Sequence, residues 1–135
     1  MNLEFKQYDV VMVDLPEVES GSNKQSGSRP AVIIQNDVGN KFSPTLLVIP
    51  LTTRIKALNQ PTHALIQKDA WNGLWKDSMV LAEQVTPVDK SSVEKIGEIR
   101  NPAAQRQILA CFLNEALFGL NLETIKVRGG KVCTA

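Results

Sequence analysis

Five short runs of β-forming residues, each closed by a proline, a glycine or a polar loop, fill the first two thirds of the chain. One stretch with helical spacing follows them. The runs are Tyr8 to Leu15 (YDVVMVDL), Ala31 to Gln35, Thr45 to Leu51, His63 to Gln67 and Ser78 to Val85. Runs this short, rich in Val, Ile and Leu and set apart by turn residues, predict strands that pair antiparallel. Pro16 ends the first run, and Pro50 predicts that the third ends at an edge or a bulge. Ala31 to Gln35 carries four apolar residues in succession, which predicts burial on both faces. Between these runs, Asn36 to Pro44 (NDVGNKFSP) reads as turn chemistry, and Asp69 to Asp77 as a loop that holds both tryptophans, Trp71 and Trp75.

The last third changes character. Asp89 to Lys95 suits one or two turns of helix with Asp89 as N-cap. Asn101-Pro102 is a helix start, a cap followed by proline at the first helical position. From there Ile108, Leu109, Phe112, Leu113, Ala116 and Leu117 recur on one face, and Gly119 stops the helix. Strands, turns and one late helix predict a mainly β domain. Its expected form is a small, strongly bent antiparallel sheet or partly open barrel, with the helix over an open face. Residues 1–120 read as that domain and residues 121–135 as a flexible tail, basic at Lys126, Arg128 and Lys131, which frays or serves a partner.

The chain has 135 residues, enough for one core, and aromatics make up only 5%, so that core is expected to be aliphatic. Cys111 and Cys133 form no disulfide framework and no metal-binding spacing, and read as free thiols in a reducing cytosol. No apolar leader opens the chain and no stretch nears the roughly 18 apolar residues of a membrane span. The expected location is cytoplasmic. A net charge of +1 offers no bulk attraction for nucleic acid, so any such binding must rest on a local patch.

Candidate chemistry gathers around two strand ends. The polar stretch Ser20 to Ser28 is not a phosphate-binding P-loop: five residues separate Gly21 from Gly27, Ser28-Arg29 follows, and a strand rather than a helix comes next. A functionless hairpin connection and a substrate flap both fit it. Arg29 stands where this loop meets a buried strand, and Pro30 forces its backbone to be extended. A solvated surface arginine is the ordinary reading; a fixed guanidinium that forks phosphate oxygens is the functional one. Thr52 and Thr53 end the third run, where threonine is common for its β-propensity alone. If the second and third strands are antiparallel neighbours, Arg29 and Thr52 share one end of the sheet. His63, the only histidine, reads as structural, and its solitude excludes acid–base catalysis by two imidazoles within one chain. Glu83-Gln84, on an otherwise apolar strand, suits an interface or a ligand. Trp71 and Trp75 are expected to be packing anchors, with at least one meeting a partner, a subunit or a base.

Taken in order, Tyr8-Asp9-Val10-Val11, Asp14-Leu15, Gly27-Ser28-Arg29-Pro30, Ile34-Gln35-Asn36-Asp37, Asn40-Lys41-Phe42-Ser43-Pro44-Thr45, Leu51-Thr52, Pro61-Thr62-His63, Asp77-Ser78 and Glu83-Gln84-Val85 resemble the MazF/PemK family of toxin endoribonucleases over about residues 5–118. The resemblance implies an SH3-like barrel with a C-terminal helix, working as a homodimer without cofactor or metal. It implies cleavage of single-stranded RNA at a short sequence and neutralisation by a cognate antitoxin. It places the catalytic arginine on Arg29 and the catalytic threonine on Thr52, and puts Gly21, Ser22, Asn23, Lys24, Gln25, Ser28, Thr53 and Gln84 along the RNA. Relatives often carry Glu-Gln after the Gly-Ser and a shorter loop. Here Asn23-Lys24-Gln25-Ser26 stands there, so the target sequence does not carry over. The alternative implied by the same fold is a non-catalytic toxin that poisons gyrase by binding protein.

Overall fold

The computed structural model describes residues 4–16 and 27–117. The domain is mainly β. Its strands are β1 (Asp9–Leu15), β2 (Gly27–Ile33), β3 (Thr45–Thr52), β4 (His63–Ile66), β5 (Ser78–Leu81), β6 (Thr86–Asp89) and β7 (Glu94–Glu98), with helices α1 (Asp37–Phe42) and α2 (Pro102–Leu117). All pairings are antiparallel, in the order β4-β5-β3-β2-β1-β7, with β6 also on β3. The sheet bends into the expected partly open barrel and does not close.

Both faces of the central strands are buried. Val10, Val32, Ile49 and Leu51 point into one core with Ile66, Val80, Ile99 and the helix residues Ile108 and Cys111. Val11, Val13, Ala31, Ile33, Leu46 and Val48 point the other way, into a second core with Phe5 and Val93. The alternation follows the two-residue period of the strand. It explains why Ala31–Ile34 must be apolar throughout, as the sequence predicts.

Several local expectations are corrected. Asn36 to Pro44 is not only turn: Asn36 caps α1, its Oδ1 accepting from Gly39 N at 2.9 Å. Asp89 to Lys95 is helical only at its centre, with Asp89 at the N-cap position but making no side-chain cap bond. Thr86–Asp89 pairs with Thr45–Val48, a turn of 3-10 helix covers Lys90–Ser92, and β7 lies along β1. Pairing to strands already in place overrides the weak helical tendency of a charged segment. Pro50 is on neither an edge nor a bulge; it pairs with Ala31 inside the sheet. It sits where the far side of β3 passes from β6, paired up to Val48, to β5, paired from Leu51. A missing N–H is tolerated best at such a gap. Helix α2 starts as predicted, Asn101 Oδ1 accepting from Ala103 N at 2.8 Å. Its inward face, however, is Ile108 and Cys111 with Ala104 and Phe112 against the core, while Leu109 and Leu113 are exposed. Cys111 is a buried free thiol. Cys133 and the basic tail lie outside the described residues.

Two glycines lock the loop before β5 onto β7. A Cβ on Gly73 would lie 2.2 Å from the Ile96 carbonyl oxygen, and one on Gly97 2.4 Å from the Asn72 carbonyl carbon. Gly73 also has φ +70°, a conformation costly for other residues. Gly97→Ala is expected to destabilise the fold by about 2 kcal/mol or more, because backbone on both sides leaves nothing to shift cheaply. Urea unfolding measures this.

Candidate active site

Arg29 lies on β2, half-buried, opposite Val13 of β1 and between exposed Ser28 and buried Pro30. Six consecutive residue pairs, Val10↔Val32 to Leu15↔Gly27, tie this stretch to β1. The arginine's Cα is therefore carried by a ladder and not by a loop. Gly27, at φ +77°, turns the chain into the strand in a conformation that other residues resist.

Thr52 is the last residue of β3 and is buried at 5% exposure. Its Oγ1 accepts a hydrogen bond from Arg54 N at 3.1 Å. That contact orients the hydroxyl oxygen and leaves its proton to be donated elsewhere. Thr53, one residue on, is exposed.

Strands β2 and β3 are antiparallel neighbours, paired Ile33↔Val48, Val32↔Ile49 and Ala31↔Pro50. Continued by two residues, that register carries Arg29 to the level of Thr52. The recorded pairing stops before then, next to Pro30, which has no N–H to donate, and Pro50. The pair thus stands where two adjacent strands separate, a guanidinium on one and an oriented hydroxyl on the other.

The other predicted residues divide. Ser28 is exposed, opposite Asp14 on the β1–β2 ladder beside Arg29. Gln84 is not on a strand, because β5 ends at Leu81 and Ala82–Gln84 forms a turn of 3-10 helix. Thr52 pairs with Met79, at the start of β5, so Gln84 lies beyond the opposite end of that strand. Gly21, Ser22, Asn23, Lys24 and Gln25 lie outside the described residues. Trp71 and Trp75 are both more than half exposed, with the Arg100 guanidinium 3.9 Å from the centre of the Trp71 ring. They are not the packing anchors expected.

His63 is more tightly engaged than a merely structural reading predicts. Its Nδ1 is 3.0 Å from the Ala57 carbonyl oxygen, and its Nε2 is 2.8 Å from Glu83 Oε1. The sequence signals available were a lone histidine and a lone glutamate beside Gln84; nothing in their spacing pairs them. Burial, and then the charge of Glu83, push the Cys111 thiol above the ordinary thiol range. Among the described residues no group of three or more His, Cys, Asp or Glu is placed to hold a metal ion.

A groove of about 720 Å³ lies between β4 and α2, lined among others by Leu58, His63, Ile66, Asn72, Ala104 and Cys111. Neither Arg29 nor Thr52 lines it. Deep concavity marks sites for small ligands, whereas an extended polymer chain is held along open surface by backbone contacts and stacking.

Comparison with known proteins identifies the family. The model of the PemK-like, MazF-like toxins of type II toxin–antitoxin systems matches residues 6–113. An endoribonuclease MazF of Staphylococcus saprophyticus is 45% identical over 87 residues, covering 64% of this chain and 70% of the relative. MazF from Deinococcus radiodurans superposes with a TM-score of 0.65 at 17% identity, over 84% of this chain and 96% of that one. A mycobacterial endoribonuclease, solved in complex with its cognate antitoxin, superposes at 0.64 with 20% identity, over 82% and 93%. At such identities the two structures establish the fold, while the family match spans most of the chain. The chain belongs to the PemK-like, MazF-like toxins of type II toxin–antitoxin systems.

Proposed function

We propose that Arg29 and Thr52 carry the endoribonuclease activity of this toxin, acting on single-stranded messenger RNA at a short specific sequence. The observation that supports the reading best is the common register of β2 and β3, which brings a half-buried guanidinium and an oriented hydroxyl to one end of the sheet. RNA carries its own nucleophile. The 2′-oxygen attacks the adjacent phosphorus, the bond from phosphorus to the 5′-oxygen breaks, and the products are a 2′,3′-cyclic phosphate and a 5′-hydroxyl. The 2′-hydroxyl loses its proton in this step and the departing 5′-oxygen gains one. The protein's task is alignment and stabilisation of charge on the phosphorane.

Arg29 supplies the positive charge and a planar fork for two phosphate oxygens. A guanidinium hardly deprotonates, so its role is electrostatic rather than proton donation. The Thr52 hydroxyl, with its oxygen held by Arg54 N, donates to a phosphate oxygen or orients the 2′-hydroxyl. The RNA strand runs past Ser28 and Thr53, reaches Gln84, and is read by Gly21 to Gln25. No metal takes part. Incubation of a long single-stranded RNA with the protein in EDTA, followed by mapping of 5′ ends, tests the proposal. Cuts at one short sequence with 5′-hydroxyl ends are expected.

The partners proposed are a second copy of the chain and a cognate antitoxin, in the cytoplasm. Among the described residues no helix is long and apolar enough to cross a membrane. The dimer is symmetric, with its RNA grooves beside the subunit interface. The antitoxin's acidic tail, with apolar anchors, lies across those grooves. Antitoxin and an uncleavable RNA are then expected to exclude each other in a competition experiment, on a dimer seen by sedimentation at micromolar concentration. A monomer, or a ternary complex with every groove filled, would contradict this.

A further inference from the structure

We infer that His63 is a positioning residue for RNA: a ring hydrogen-bonded at both edges that joins the connection after Thr52 to the turn bearing Gln84. The inference rests on the proposed function. Its geometry is independent of the Arg29 and Thr52 assignments.

The two acceptors come from different parts of the chain. Residues 54–60 follow β3 directly and begin with the Arg54 N–H bound to Thr52 Oγ1. Inside this connection Ala57 adopts φ +55°, an uncommon conformation for alanine that its surroundings must hold in place. The Ala57 carbonyl oxygen faces Gln60 N at 3.0 Å and His63 Nδ1 at 3.0 Å. A carbonyl has no proton to give, so Nδ1 is the donor. Nε2 faces Glu83 Oε1 at 2.8 Å. The His63 side chain is only 12% exposed, so little water is at hand to replace a lost partner.

Cys111 of α2 also lies by this pair, its thiol raised first by burial and then by the Glu83 charge. Glu83 is the middle residue of the turn Ala82–Gln84. Backbone pairing already fixes where the turn starts, through His63↔Leu81 and the bond from Ala82 N to Thr62 O at 3.1 Å. The 54–60 connection is held by its own backbone, Gln60 N to Ala57 O at 3.0 Å and His63 N to Gln60 O at 3.1 Å, but no backbone bond ties it to the Glu83 side chain. The imidazole joins the two, with Thr52 at one end of the chain of contacts and Gln84 at the other. A residue in this place sets how RNA lies across the site without itself bonding the Thr52 hydroxyl. Its loss is read in RNA affinity rather than in turnover.

The test uses the full chain and two RNAs: a cleavable single strand, and the same strand with a 2′-deoxyribose at the cut for affinity. His63→Phe keeps an aromatic ring and removes both ring nitrogens. Glu83→Gln removes the charge at a partly exposed position where the fold is not at risk. Each is expected to raise KM, and Kd for the deoxy strand, roughly tenfold: His63→Phe loses both ring hydrogen bonds, and Glu83→Gln turns a charge-assisted bond into a weaker neutral one. The kcat is expected to stay within about twofold. The double variant should do no more than either single one, because the two residues act as a unit. If His63→Phe does not fold, Glu83→Gln decides alone. Unchanged KM and Kd, a fall in kcat without a rise in KM, or additive effects in the double variant would overturn the inference. Wild-type protein is measured first. Failure of the wild type to cleave or bind RNA overturns the proposed function itself, and the positioning role with it.

Discussion

Arg29→Ala is expected to abolish most RNA cleavage while leaving the fold in place. If the guanidinium meets the phosphorane, its removal takes away the fixed charge that stabilises the transition state, and losses of this kind run to about 10²–10³-fold or more in rate. The structural cost is small by comparison. Arg29 sits on a strand whose pairing is backbone to backbone, next to Pro30, Ala31 and Val32, which hold their places in the core without it. A shift in stability below about 1 kcal/mol is expected. Single-turnover cleavage of a defined RNA, set beside urea unfolding of the same preparation, separates the two effects. Arg29→Lys is the sharper variant. It retains the charge and loses the fork, so poor recovery points to two oxygens held at once, whereas good recovery points to a simple field effect. Cleavage by Arg29→Ala at a near wild-type rate would remove the assignment.

A single deoxyribose placed 5′ to the cut is expected to reduce cleavage to the limit of detection. The nucleophile proposed is the 2′-oxygen of that one residue, and no other group on the substrate can replace it. Affinity should change little, since the phosphates and bases are unaltered, so the deoxy strand should act as a competitive inhibitor. EDTA should leave the rate on normal RNA unchanged. A deoxy strand cut at the same place, or a requirement for a divalent ion, would mean that water or a metal-bound hydroxide attacks instead.

Much of this architecture can be read from residues alone where one physical demand dominates. Ala31 to Ile34 must satisfy two cores, and no other pattern than an unbroken apolar run can do so. Asn101-Pro102 starts α2 because cap and proline act locally. Where neighbours decide, the residues mislead. Thr86 to Glu98 pairs with strands laid down far earlier in the chain, and its own Pro87, Lys90, Ser91 and Ser92 speak for anything but a sheet. Helix α2 turns Cys111 inward in place of Leu109 and Leu113, since the surface it covers, not the most apolar stripe, sets its rotation. The candidate site divides in the same way. Arg29 and Thr52 announce themselves by standing at strand ends. His63 does not, for its meaning depends on Ala57 and Glu83, contacts that only the folded backbone creates.

The β1–β2 ladder passes through Val13↔Arg29 and runs on without a break to Leu15↔Gly27, two residues beyond the arginine. The backbone of Arg29 is thus held by the sheet whatever the length of the connection between the two strands. Lengthening such a connection is cheap: each doubling adds roughly 0.6 kcal/mol of closure entropy. Mutation can rewrite its length and composition while the arginine stays at its post. Where target choice resides on that connection, a lineage of toxins can change the RNA it attacks in small heritable steps, none of which passes through an inactive enzyme.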